Sequence, residues 1–193
     1  MAGRRAAKPD WRAVLRRSLR RSSELAGAGA LFAGMVFLAL ALVSYHQTDP
    51  SASTAAGGEV RNWMGAPGAY AADFALTLFG PVSCLLLPLL YVFARKLWRL
   101  VEEDSGTVEH SDQRWWRPIG ILMVAMVLLA TGLSLAFTRP GGSLPASMGG
   151  ISGLLGAGAI RSLAGLLPVV AQGWAIFGAA VACLVAGALG VPA

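Results

Sequence analysis

The chain has 193 residues, 55% of them apolar and only 13% charged, with a net charge of +6. A composition this apolar is that of a membrane protein, and it argues against a soluble domain, whose helices would each show a polar face. The basic residues are gathered into particular stretches, which points to membrane topology in preference to a nucleic-acid surface.

In chain order, a basic tail comes first. Residues 1–24 hold eight Lys and Arg. Trp11, Val14, Leu15 and Leu19 fall on one helical face, with Arg12, Arg16, Arg17, Arg20 and Arg21 on the other. This spacing predicts an amphipathic helix on anionic lipid headgroups, each arginine contributing about 1 kcal/mol at the surface. DNA contact is the alternative for the same charges.

Four stretches then carry no charge: Leu25–Tyr45, Phe74–Ala94, Pro118–Thr138 and Ser162–Ala193. A crossing needs about 20 apolar residues, so an all-α membrane protein with four transmembrane helices is expected. The crossings are placed at about residues 25–45, 72–94, 118–138 and 166–189, in a membrane domain running from 25 to 190. The first apolar run is longer than a cleavable signal's core of roughly 7–15 residues, so it reads as a retained anchor. The loop 95–117 carries five basic residues, whereas 46–71 has only Arg61 and 139–165 only Arg139 and Arg161. The asymmetry predicts cytoplasmic N and C termini, a cytoplasmic middle loop and two periplasmic loops.

Small residues recur at four-residue spacing in the first crossing (Ala26, Ala30, Gly34) and the last (Gly178, Ala182, Ala186, Gly190). Such ladders let helix backbones approach closely, within one chain or between copies. Gly80-Pro81 and Pro88 predict a bend in the second crossing. Ile151–Leu163 reads as a glycine-rich helix outside the core or dipping into it, with a re-entrant hairpin as the alternative.

The chemistry of a catalytic site is missing from the pattern. Neither Lys8 nor Lys96 follows a glycine, so no phosphate-binding loop is present, and there is no G-x-S-x-G elbow. His46 and His110 have no His or Cys partner at metal-ligand spacing. Cys84 and Cys183 sit in separate apolar runs and read as small core residues. No cofactor, metal or catalytic residue is expected. A small transporter or channel subunit is a competing class, and charge-free helix interiors count against it. An enzyme acting on lipid is a third, and it lacks any acid–base pair.

The stretch SYHQTDPS, residues 44–51, closes the first crossing with an Asp-Pro turn. Together with RNWMGAPGAYAADFALTLFG at 61–80, it resembles the N-terminal membrane domain of the FtsK/SpoIIIE family of bacterial DNA translocases. Thr48, Asp49, Pro50 and Ser51 match that family's turn. Gly65, Pro67, Gly68, Ala69, Tyr70, Ala72, Asp73, Phe79 and Gly80 match the start of its second helix. GGSLPASMGGISG at 141–153 is similar to the stretch before its fourth. Ala52 stands where the family often has an aromatic, and residues 1–193 hold none of the family's linker, motor or DNA-reading end, as expected of a fragment or of a split protein with its motor elsewhere. The resemblance implies an inner-membrane anchor at the division septum, serving cell division and chromosome segregation without ATP hydrolysis of its own. It also implies a homo-oligomer and divisome membrane partners, with no direct DNA binding by this chain.

Overall fold

A computed structural model describes residues 11–52, 54, 59–103, 116–137 and 144–191. Among the described residues six α-helices follow one another: α1 Trp11–Val43, α2 Gly65–Phe79, α3 Leu86–Glu103, α4 Trp116–Ala136, α5 Gly150–Ala164 and α6 Val169–Gly190. A 3-10 segment, Gly80–Leu85, joins α2 to α3, and no strand occurs among the described residues. Four helical stretches are long and apolar enough to cross a membrane: Ser18–Val43, Gly65–Arg99, Ile119–Ala136 and Val169–Gly190. Residues 1–10 of the tail, 104–115 of the middle loop with His110 and Trp115, and 138–143 with Arg139 lie outside the described residues.

The amphipathic segment that begins at Trp11 is helical, and it continues without a break into the first crossing. The resulting helix has 33 residues, about 50 Å at about 1.5 Å each. Arg20 Nε donates to Glu24 Oε1 at 2.9 Å on this helix; the arginine is well exposed, so the pair contributes about 0.3–0.5 kcal/mol at most.

The second crossing is α2, the 3-10 segment and α3 in series. α2 begins at Gly65, earlier than the start near 72 expected from charge. It stops where Gly80 turns to φ +60°. Pro81, which has no N–H to donate, then fits the first turn of the tighter helix. The bend anticipated at Gly80-Pro81 is therefore a change of helix type.

The helices pack as two groups. α1 lies against α2 and α3, while α4 lies against α5 and α6. α4 and α6 run antiparallel in close contact: a Cβ on Gly132 would meet Leu184 Cγ at 2.7 Å, and one on Gly187 would meet Leu129 Cγ at 2.6 Å. Between the groups, Val82, Leu122, Met126 and Ala130 form a buried core flanked by Phe79, Leu86 and Leu89. Met126 is fully enclosed, although it lies midway along an apolar helix.

α5 enters this junction. Its first residue, Gly150, has φ +61°, and a Cβ there would meet Leu78 O at 2.6 Å. A Cβ on Gly80 would meet Met148 O at 2.7 Å. Two backbones thus touch near the middle of the Gly65–Arg99 stretch, and only residues without side chains fit there. Ser152 Oγ donates to Leu78 O at 2.7 Å across the same contact. Farther along α5, Cβ atoms on Gly153 and Gly156 would collide with Ala130 O and Thr131 Oγ1 of α4. Arg161 Nη2 then donates to Ser134 O at 3.1 Å, a cation on an end carbonyl of α4. The helix expected at Ile151–Leu163 is present, and its beginning lies inside the bundle.

Candidate functional site

Residues 44–49 and 61–68 of the family-resembling stretches meet at one end of α1, whereas Gly80 lies at the crossing with α5. After Val43 the last carbonyls of α1 lack helical partners, and each needs a donor. Ser44 Oγ donates to Leu40 O at 2.6 Å, and it accepts from Trp63 N–H at 3.0 Å. Asn62 Nδ2 donates to Ala41 O at 2.8 Å and approaches Ser44 O at 3.4 Å. His46 Nδ1 lies 3.0 Å from Ser44 O, and since a carbonyl only accepts, that nitrogen carries the proton.

Asp49 closes the loop from the other side. Its N–H donates to His46 O at 3.1 Å, forming the turn that Pro50 ends. Its carboxylate oxygens then accept the N–H groups of Arg61 and Asn62, both at 2.9 Å. Hydrogen bonds to an ionised acceptor are worth roughly twice neutral ones. Ser44, Asp49 and Asn62 are each about 95% buried or more, so the network is sealed from water.

The same residues launch α2. Asn62 Oδ1 accepts Met64 N–H at 3.0 Å, and Asn62 O accepts Gly65 N–H at 2.9 Å. Gly65 takes φ +67° in this turn. Gly68, one turn on, is buried, and a Cβ there would collide with Asn62 Oδ1 and Met64 Cβ. The Asx turn and the helix can therefore overlap only if residue 68 has no side chain. Asp73 is 1% exposed. It lies near enough to Tyr45 that, after burial itself, its negative charge and that of Asp49 raise the Tyr45 hydroxyl above its ordinary pKa of 10.0.

The ten motif positions thus divide. Asp49, Gly68, Asp73 and Gly80 are buried; Pro50, Ser51 and Gly65 are half-buried. Thr48, Pro67 and Tyr70 face outward, and Trp63 and Phe74 are exposed as well. Ser51 and Thr54 exchange backbone hydrogen bonds at 3.1 and 3.3 Å within the turn. The network's centre, Asn62, escaped the sequence reading, as did Ser44. The signal for Asn62 was an asparagine three residues ahead of a helix-starting glycine, where Asx turns recur.

The small-residue ladders do not make the internal contacts. Ala26, Ala30, Gly178, Ala182 and Ala186 are exposed, and a Cβ on Gly34 or Gly178 would meet nothing within 4 Å. Gly190 is the exception, since a Cβ there would meet Ala125 Cβ at 2.9 Å. The α4–α6 contact uses Gly187, Leu184 and Gly132 instead. No group of three His, Cys, Asp or Glu residues fit to hold a metal occurs among the described residues. The arrangement is a structural latch: it caps one transmembrane helix with the segment that starts the next.

An all-helical bundle with four membrane-crossing stretches and this latch defines a multi-pass membrane anchor. Residues 19–191 match the family described as the 4TM region of DNA translocase FtsK/SpoIIIE, and the chain belongs to that family. It is similar to the DNA translocase FtsK of Pseudomonas syringae pv. tomato, 31% identical over 81% of this chain and 19% of the relative. The FtsK of Pseudomonas syringae pv. syringae is 30% identical over 76% of this chain and 18% of its own length. That of Vibrio vulnificus is 33% identical over 51% of this chain and 10% of its own length. The chain therefore spans less than a fifth of the relatives it matches, in their membrane region. No solved structure matches it. The family and the four apolar helices make it a multi-pass inner-membrane protein.

Proposed function

We propose that this chain is the anchor and assembly module of an FtsK-type DNA translocase, acting at the division septum in cell division and chromosome segregation. The observation that carries the reading is the family match over residues 19–191, which includes every residue of the latch. In this reading both termini are cytoplasmic, following the basic residues of the tail and middle loop. A motor attached to such an anchor lies on the cytoplasmic side, where DNA and ATP are. The latch sets the geometry of the first periplasmic loop, and the outward Thr48, Trp63 and Tyr70 form the surface offered to other divisome membrane proteins. Homo-oligomerisation, with the exposed small-residue ladders of α1 and α6 as available faces, gathers the anchors together. The chain itself hydrolyses no ATP and makes no direct contact with DNA.

A fluorescent fusion of the 193-residue chain tests the reading in dividing cells. Accumulation at midcell is expected, and an even distribution around the membrane contradicts the septal role. Purified chain in detergent is expected to show no ATP hydrolysis above a mock preparation, and no solute flux when placed in liposomes.

A further inference from the structure

We propose that α2 is a membrane-surface helix: it lies flat in the periplasmic headgroup layer, and lipid covers its outward aromatic face. The choice of leaflet rests on the topology proposed above; the orientation of the helix does not. The stretch Gly65–Arg99 has 35 residues, about 50 Å of helix against a hydrocarbon core of about 30 Å. Within that series the part from Gly80 to Arg99 alone spans about 33 Å, with the 3-10 segment at about 2 Å per residue. It is long enough to cross by itself.

Contacts at both ends of the stretch show that α2 does not extend α3. Leu97 of α3 lies against Gly27 of α1, 3.8 Å from a Cβ built there. Gly68 of α2 packs on Asn62, whose Nδ2 donates to Ala41 O at 2.8 Å. Ala41 is only about 21 Å from Gly27 along α1, whereas a straight rod from Leu97 to Gly68 would be about 45 Å long. The chain therefore turns at Gly80, where a positive φ ends α2. Packed along α1, α3 and the 3-10 segment rise about 29 Å from Leu97 to Gly80, which brings Gly80 close to the level of Ser44. From there α2 runs about 17 Å to Gly68 and stays near the level of Ala41 and Ser44, so its course is sideways. The second helix group agrees: Val82 packs with Met126 and Ala130, and Ala130 is within two turns of the end of α4.

The face that α2 turns outward is uncharged and aromatic. Gly68, Ala69, Ala72, Asp73, Ala75 and Leu76 are buried against the bundle. Trp63, just ahead of the helix, and Pro67, Tyr70 and Phe74 are exposed at steps of four, three and four residues, which is a single helical face. Val43, at the same depth, is apolar and 76% exposed, part of the lipid-facing surface of α1. The aromatic face continues that surface. A ring with one polar atom, as in Trp63 and Tyr70, is best placed where acyl chains give way to headgroups. A flat helix puts the whole face in that layer, whereas an upright one puts only a single turn there. A membrane protein that reaches Trp63 and Tyr70, as proposed above, does so from within the membrane by displacing lipid.

Depth measurement on the full chain in liposomes tests this placement. Single cysteines carrying a nitroxide, with Cys84 and Cys183 replaced by serine, report collisions with oxygen, which concentrates in the bilayer, and with a water-soluble nickel chelate. Tyr70→Cys and Phe74→Cys are expected at one shallow depth, that of Val43→Cys. Glu59→Cys should read as water and Val36→Cys as bilayer core. A step of about 6 Å in depth between positions 70 and 74 would make α2 an upright extension of α3 and overturn the proposal. Water-like readings at both positions would also overturn it, by placing the face in the periplasm. Protection from both probes would do so by showing that protein covers the face. Reporter fusions that place Gly57 in the cytoplasm are the separate failure of the topology, with the helix still flat but in the opposite leaflet.

Discussion

Asn62 serves three partners at once: the end of α1, the carboxylate of Asp49 and the first turn of α2. Its replacement in Asn62→Ala strands the buried Ala41 carbonyl, and an unsatisfied buried acceptor costs about 1–3 kcal/mol. With the Met64 bond lost as well, a destabilisation of about 2–4 kcal/mol is expected. Asp49→Ala should lose a similar amount, and Asp49→Asn less, because one acceptor oxygen remains. Thermal unfolding of detergent-purified protein reads these differences, and an unchanged Tm for Asn62→Ala would remove the latch from the account. Tyr45 supplies a pH test. Its raised pKa means the neutral phenol is favoured in the folded state, so that stability is fully present below pH 10. It should fall as pH rises above that value and the phenol ionises. Tyr45→Phe should remove the alkaline loss; an identical alkaline profile in both proteins would contradict it. At this scale the sequence was half legible. The Asp-Pro turn announces itself locally, whereas Asn62 bonds a residue 21 positions away, which no local pattern reveals.

Among the elements, α5 depends most on small residues. Gly150→Ala asks a Cβ to occupy a left-handed backbone conformation and to sit 2.6 Å from Leu78 O, so strain and overlap add. A loss of about 2–4 kcal/mol is expected, together with faster proteolysis of the segment between α4 and α6. Wild-type cleavage rates for Gly150→Ala would show that α5 does not depend on the crossing. Ser83 gives the opposite expectation. Its hydroxyl is fully buried within the 3-10 segment, without a hydrogen-bond partner among the described residues. Ser83→Ala should therefore be neutral or stabilising by about 1 kcal/mol, since an unmade bond is all that disappears. A clear loss of stability would mean the hydroxyl is bonded after all. Helix existence here was legible from charge-free length. The packing faces were not, because every face of these helices is apolar and spacing cannot tell lipid from protein. The ladder on α6 is the example: Gly178, Ala182 and Ala186 look outward, while Gly187 makes the contact with α4.

In the whole molecule, two helix groups meet at the Gly80–Gly150 crossing and the core around Met126. The first group carries the latch and the long α1; the second carries the glycine-faced α5. Four crossings put both ends on one side of the membrane, and the basic residues at 1–24 and 95–117 are the ground on which we propose the cytoplasmic side. Composition alone gave the membrane class and the number of crossings, and only the wording of residues 44–80 gave the family. Sidedness is the property most directly open to measurement. Reporters active on one side only, fused after Gly57, after Ser105 and after Ala193, should place Gly57 in the periplasm and the other two in the cytoplasm. The same sidedness at Gly57 and Ser105 would contradict four crossings and the anchor built on them.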